Sequence, residues 1–341
     1  MKTGFSFRSV RYVRRTVQRF VLPAILLLSV FLSAGLSGCQ RAAVPVTLTT
    51  FSLDTVCQIT VYSEKDRKAA SEVLSLLPKY ENIFSRTLEG SELYRLNQRA
   101  GSEVTVSDDL FHVLQTGRAF AEASVGKFDI TLGSVTSLYD FTGGAGKVPA
   151  AQELKEALVH TGYQHLSFPG DHRVLVDDPE LVLDLGGIAK GYIADRLSEE
   201  LKKKGVKSAL ISLGGNLAAV GLKPDGSPFL LGIRHPEKTA SDVIKTIEAS
   251  DVSLVTSGVY ERSFIKDGQL YHHLLDSSTG KPVSNGLLSC SVLAPSSETA
   301  DALSTLLFIL GPEEGREFLE NYPGVRCWYI TEAMDIIEAG G

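Results

Sequence analysis

The segment 183-LDLGGIAKGYIADRL-197 joins a strand to a helix through two glycines, and the rest of the chain is read outward from it. A strand ends at Asp184, Gly186 and Gly187 turn the backbone, and a helix opens near Ile188. That helix runs to Lys204 with Ile188, Tyr192, Ala194 and Leu197 toward its core face. Glycines at such a turn let a ligand approach the backbone, and the free N–H groups there attract anions such as phosphate. Lys190 lies in the first helical turn, where a cation opposes the helix dipole and costs stability unless an anion is near. A plain strand-to-helix turn with a solvated lysine is the other reading of the same residues.

On both sides of this segment, strand and helix patterns alternate. Upstream, 47-TLTTFSLDTVCQITVY-62 is rich in Thr, Val and Ile and reads as a strand pair. Residues 65–84 carry Ala69, Val73, Leu76, Leu77, Tyr80 and Phe84 at helical spacing. Ser91 opens a short helix to Asn97, and Ser107-Asp108-Asp109 caps another that runs to Ser124. A glycine-rich loop at 143–146 precedes a short helix at 151–161. Strand-like runs follow at 173–178, 181–185, 208–213, 229–233, 261–265, 287–294 and 325–331. Helices are expected over Thr299–Leu310 and Glu313–Glu320. The expected class is α+β with substantial antiparallel sheet and flanking helices.

The first residues belong to targeting. Lys2, Arg8, Arg11, Arg14, Arg15 and Arg19 precede the apolar run 20-FVLPAILLLSVFLSAGLSG-38, which ends at Leu36-Ser37-Gly38-Cys39. A basic region, a short apolar stretch and small residues before a cut site describe a secretory signal over residues 1–38. The ending is a lipobox, in which Cys39 becomes the lipidated first mature residue, carrying acyl chains such as palmitate. An uncleaved anchor is the alternative, since about 20 apolar residues can span a bilayer, but Pro23 interrupts the run. The expectation is an exported protein tethered by residues 39–46, with a catalytic region over 47–341, held on the outer face of the cytoplasmic membrane or in the periplasm.

Loss of the signal removes six cations from 34 Lys+Arg, leaving 28 against 40 Asp+Glu. An acidic mature chain argues against nucleic acid and polybasic membrane contacts. After Cys39 only Cys57, Cys290 and Cys327 remain, which is no disulfide framework. Cys57 and Cys290 sit in apolar runs, as buried small hydrophobes do. Several motifs are excluded. Residues 143-GGAGKV-148 fail as a phosphate loop, because position 141 is Phe and 148 is Val. No G-x-S-x-G, no H-E-x-x-H and no G-x-G-x-x-G after a strand occurs.

Three further segments carry chemistry. In 299-TADALSTLLFILG-311, Asp301, Ser304 and Thr305 stand at i, i+3 and i+4, so their oxygens share one helix face. Hard oxygen donors of this kind suit Mg²⁺, which completes its shell with water and substrate phosphate. Simple N-terminal capping is the alternative. In 271-YHHLLDSSTGKPV-283, His273 can serve as a general base toward a hydroxyl, or as a hydrogen-bonded loop histidine. In 126-GKFDITLGSVTSLYDF-141, Phe128, Asp129 and Thr131 combine a ring with polar groups, as a pocket wall or an ordinary turn would.

In order along the chain, 53-LDTVCQITVY-62, 84-FSRTLEGSELYRLN-97, 128-FDITLGSVTSLYDF-141, 183-LDLGGIAKGYIAD-195, 212-SLGGNLAAVG-221, 256-TSGVYERSF-264, 272-HHLLDSSTGKP-282 and 300-ADALSTLLFILG-311 resemble the ApbE family, the FAD:protein FMN transferases. The resemblance implies an ApbE-like, T-fold-like α+β architecture and Mg²⁺-dependent transfer of FMN from FAD to a Thr or Ser hydroxyl of another protein, with release of AMP. It implies FAD contacts at Leu53, Thr87, Lys127, Phe128, Asp129, Asp184, Lys190 and Leu274. It implies metal ligation by the Gly187 carbonyl with Asp301, Ser304 and Thr305. Separately, His273 is the candidate to take the acceptor proton. The expected partners are exported or membrane redox subunits. The chain departs from the family at Leu53-Asp54-Thr55, often Met-Gly-Thr, and at Thr87, often aromatic. The family's acceptor motif, Asp-x-Ser/Thr-Gly-Ala-Ser/Thr, is absent, so the chain reads as the donor-side enzyme. Two other functions fit the same residues: hydrolysis of FAD to FMN and AMP, and storage or delivery of FAD without chemistry.

Overall fold

The expected strand pair forms as Val46–Ser52 and Thr55–Val61, antiparallel and in register from Val46 opposite Val61 to Ser52 opposite Thr55. Alternation turns Cys57, Ile59 and Val61 inward. Leu53 and Asp54 form the connection, both at φ 56°, and a two-residue turn of this hand matches the twist of the flanking strands. Glu81 fixes it, accepting the Leu53 N–H and the Ser52 hydroxyl at 3.0 Å each. This computed structural model describes residues 44–99, 101–141, 146–239 and 242–341. The expected signal peptide, Cys39, the tether up to residue 43 and residues 143–145 of the glycine-rich loop lie outside the described residues.

The pair opens an eight-stranded antiparallel sheet. Its order is Val46–Ser52, Thr55–Val61, Ser208–Leu213, Asn216–Gly221, Ser253–Gly258, Leu287–Ala294, Arg326–Thr331 and Ile336–Gly340. The helices Ala189–Lys203 and Ser297–Leu319 pack against it, sharing a core with Ile59, Ile211, Val255 and Val292. The hairpin Phe229–Arg234 with Val243–Ala249 covers the other face, enclosing Leu254, Trp328 and Ile330. Leu254 and Val255 are neighbours in sequence and fill opposite cores. Buried on both faces, Ser253–Gly258 shows no polar alternation. The polar residues Thr256, Ser257 and Gly258 are therefore the end of a central strand.

Smaller elements flank this frame. Glu103–Thr105, Arg173–Val176 and Leu166–Gly170 form a three-stranded sheet. Ser263–Lys266 and Gln269–His272 form a hairpin of their own. The serine caps behave as expected: Ser91 accepts the Tyr94 N–H at 3.2 Å, and Ser107 accepts the Leu110 N–H at 3.3 Å. Two other expectations need correction. Residues 65–84 break into the helices Arg67–Leu74 and Leu77–Phe84, because Pro78 has no N–H to continue the first. Residues 181–185 form no ladder beyond one bridge from Val182 to Leu132. Instead the Asn97 amide takes the place of a strand, accepting the Leu183 N–H at 2.9 Å and donating to the Leu183 carbonyl at 3.0 Å.

The last two expected helices follow one another within Ser297–Leu319, broken from each other at the non-helical Gly311, whose φ of 79° precedes Pro312. Cys57, Cys290 and Cys327 are buried free thiols. Among the described residues no helix is long and apolar enough to cross a membrane.

Candidate active site

The glycine turn is tied down by the acid before it. Asp184 Oδ1 accepts the Gly186 N–H at 2.9 Å, while Oδ2 accepts the Thr136 hydroxyl at 3.0 Å and lies 3.5 Å from Arg86 Nε. Gly187 follows in a tight place. A Cβ there would stand 3.2 Å from Phe128 Cε2 and 3.4 Å from Thr305 Oγ1. The preference for glycine here comes from this tight fit and not from φ. Lys190 folds back over the turn, with Nζ 3.4 Å from the Gly186 carbonyl.

The contact of Gly187 with Thr305 joins two segments more than a hundred residues apart. Asp301, Ser304 and Thr305 lie on one face of the long helix, as their spacing requires. Asp301 is buried, and its Oδ2 accepts the Gly191 N–H at 2.8 Å. Among the described residues its Oδ1 receives no hydrogen bond. Ser304 Oγ donates back to the Asp301 carbonyl at 2.9 Å. Ser257, from the central strand, meets both hydroxyls: its Oγ is 2.8 Å from Ser304 Oγ and 3.1 Å from Thr305 Oγ1. Ser257 was not among the expected site residues, because nothing local in 255-VTSGVY-260 points to a helix forty residues on.

Among the described residues no three His, Cys, Asp or Glu side chains converge as they would around zinc. The donors at hand are one carboxylate, two hydroxyls and the turn at Gly187. This all-oxygen, weakly charged set fits Mg²⁺, which keeps waters and substrate phosphate in its shell.

His273 stands at the base of the Ser263–His272 hairpin. Its backbone N–H donates to the Arg262 carbonyl at 3.2 Å, and its ring Nδ1 lies 3.3 Å from the same oxygen. A carbonyl only accepts, so Nδ1 carries the proton and Nε2 keeps the lone pair. Burial, with the nearby Arg262 and Lys190 cations, holds the imidazole down to about 3. The ring is therefore neutral at physiological pH, as a proton acceptor must be.

The other expected contacts divide. Phe128 is buried beneath Gly187 and against Phe120, with centroids 6.0 Å apart. Asp129 is fully occupied by backbone and neighbours: Oδ1 accepts from the Thr131 N–H and hydroxyl at 2.9 and 2.7 Å, and Oδ2 from the distant Tyr163 N–H at 3.0 Å. Burial raises its pKa even so. Lys127 lies within electrostatic reach of Asp276. Leu274 is buried beside the base of the hairpin, its carbonyl accepting the Val283 N–H at 2.9 Å. Leu53 occupies the first hairpin turn, and Thr87 is exposed, its N–H held by Ser85 Oγ at 3.3 Å. Arg86, next to Thr87, reaches Asp184 and donates to Ser137 Oγ at 2.5 Å. Neither Arg86 nor Arg262 was expected, since an isolated arginine has no local signature.

A sequence model of the ApbE family matches residues 53–329. The chain is 37% identical over 297 residues to an FAD:protein FMN transferase of Treponema pallidum, an alignment covering 82% of each. In structure it is similar to an ApbE protein of Thermotoga maritima, with TM-score 0.80 and 34% identity over 87% of this chain and 97% of that one. It is likewise similar to a flavinyl transferase ApbE of Pseudomonas stutzeri in apo form, with TM-score 0.75 and 31% identity over 87% of this chain and 94% of the other. The expected α+β architecture is that of these proteins.

Proposed function

The chain belongs to the ApbE family, and from that premise we infer that it acts as an FAD:protein FMN transferase, with a Thr or Ser hydroxyl of the target protein as acceptor. The acceptor oxygen attacks the FMN phosphorus of FAD, the P–O bond to AMP breaks, and AMP leaves. The acceptor proton passes to His273 Nε2. Bound Mg²⁺ would neutralise charge on the pyrophosphate, and Asp301, Ser304, Thr305 and the Gly187 carbonyl are the residues that would hold it. Lys190 and Arg262 add cationic charge on the side of His273, and Lys190 reaches back over the glycine turn to the Gly186 carbonyl.

The observation that carries this reading is the approach of Thr305 to Gly187, which brings the oxygen row to the glycine turn and Lys190. The test is incubation of the mature protein with FAD, Mg²⁺ and a peptide bearing the family's acceptor motif. An FMN adduct by mass spectrometry, equimolar with AMP and abolished by EDTA, supports it. Free FMN and AMP without adduct would identify a pyrophosphatase. Magnesium-independent FAD binding without AMP would identify a carrier.

Export through residues 1–38 and lipid attachment at Cys39 complete the proposal. They place the enzyme beside exported or membrane redox subunits as acceptors. The lipobox sequence supports this reading.

A further inference from the structure

The helices Ala189–Lys203 and Ser297–Leu319 each cap the other. Asp301, from the second, accepts the Gly191 N–H of the first at 2.8 Å. Asp195, from the first, accepts three donors at the start of the second: Ser297 N–H at 2.8 Å, Glu298 N–H at 3.0 Å and the Ser296 hydroxyl at 2.8 Å. Each carboxylate therefore satisfies otherwise orphaned N–H groups and lies at the positive end of the partner helix. The crossing has no spare room. A Cβ on Gly191 would stand 2.7 Å from both Asp301 Cβ and Glu298 Cα.

We propose that Asp195 and Gly191 are positioning residues for Asp301, and that their reciprocal lock sets the affinity of the metal site. The inference rests on Asp301 being a metal ligand, as read above. One Asp301 oxygen is spent on Gly191, which fixes the carboxylate's rotation and leaves the other oxygen for the ion. Asp195 holds the first turn of the helix that carries Asp301, so the two contacts together fix how far the helices slide past each other. Neither residue needs to touch the ion. Mg²⁺ tolerates little departure from its preferred geometry, and loss of such supporting contacts typically weakens a metal about 10–100-fold.

The test is Mn²⁺ titration of the full mature protein by electron paramagnetic resonance, with and without FAD, at a temperature where circular dichroism shows each variant folded. Asp195→Asn keeps the side chain's size but turns one acceptor into a donor facing N–H groups. It is expected to weaken Mn²⁺ about 10–100-fold while leaving FAD binding in EDTA unchanged, and excess Mg²⁺ should restore its turnover. Gly191→Ala should act in the same direction. If either variant is too unstable to titrate, Ser296→Ala, which removes one of Asp195's three bonds along with the cap on the Thr299 N–H, should still weaken Mn²⁺ measurably, and by more than loss of the Thr299 cap alone, read as the effect of Ser296→Gly on Asp195→Asn. Wild-type Mn²⁺ affinity in folded variants overturns the proposal and assigns Asp195 to stability alone. Failure of the wild-type protein to bind Mn²⁺, or full binding by Asp301→Ala, overturns the metal reading itself and the inference with it.

Discussion

Thr305 Oγ1 lies 3.4 Å from where a Cβ on Gly187 would stand, and Phe128 closes the other side at 3.2 Å. This contact joins the strand-to-helix turn to the oxygen row, and an added methyl would have to displace Phe128 or Thr305 by a few tenths of an ångström.

Gly187→Ala should therefore separate stability from activity. The added methyl pushes on a ring and a hydroxyl and costs about 1–3 kcal/mol of stability, as overpacking does. Turnover at fixed Mg²⁺ is expected to fall by much more than that stability loss suggests, because the hydroxyl that moves is a proposed ligand. Thermal melting and FMN transfer, measured on the same preparation, check this. A fully active Gly187→Ala protein would remove Gly187 from the site.

The three oxygen side chains should not contribute equally. Asp301 supplies the negative charge, Thr305 faces Gly187, and Ser304 is fully buried between Ser257 and the Asp301 carbonyl. The apparent Mg²⁺ requirement should rise most for Asp301→Ala, less for Thr305→Val and least for Ser304→Ala. Loss of the Ser304 hydroxyl should also cost about 1 kcal/mol of stability, the usual worth of a hydrogen bond. A reversed order, read from Mg²⁺ titrations of transfer, would contradict this geometry.

His273 should reveal itself through pH. Its ordinary value is 6.5, and in the folded protein it is held at about 3. Between those values the unfolded chain binds a proton that the folded chain refuses, so stability falls as pH drops from 6.5 toward 3. His273→Gln should flatten that part of the stability–pH curve, as followed by urea denaturation. The same variant should bind FAD normally and transfer FMN about 10²–10⁴-fold more slowly, the usual worth of a general base. Transfer at the wild-type rate would exclude that role.

The first hairpin turn carries strain that the family's usual glycine would not. Leu53 and Asp54 both hold φ at 56°, a region favourable to glycine. Asp54 is exposed, so Asp54→Gly should raise stability by about 0.5 kcal/mol without loss of packing. Leu53→Gly should gain less, since Leu53 also packs against the core. Melting temperatures of the two variants decide the order.

Cys39→Ala should yield a protein that is exported but not acylated. Mass spectrometry of the wild-type N-terminus should find a lipid on Cys39, and the variant should leave the membrane fraction. Retention of Cys39→Ala in membranes at the wild-type level would favour the uncleaved anchor.

The sequence alone determined what depends on near neighbours. The paired strands at 46–61 follow from β-branched alternation, the caps at Ser91 and Ser107 from one side chain and the N–H three residues on, and the common face of Asp301, Ser304 and Thr305 from the helical repeat. The glycine turn before Ala189 was legible for the same reason. Ordered motifs along the chain added the family, and with it the function. The tertiary structure decided what depends on which strand lies beside which. Ser253–Gly258 hid as a strand because both its faces are buried, so Ser257 could not be placed against Ser304 and Thr305 until the sheet order was known. The carboxylates show the same limit. Asp129, Asp195 and Asp301 look alike in sequence, yet one ties its own turn to the backbone at Tyr163, one caps a distant helix, and one is half-committed to Gly191 with an oxygen to spare. Hydrogen bonds across a hundred residues leave no periodicity, and they form only where the packed sheet and its two long helices bring the partners within reach.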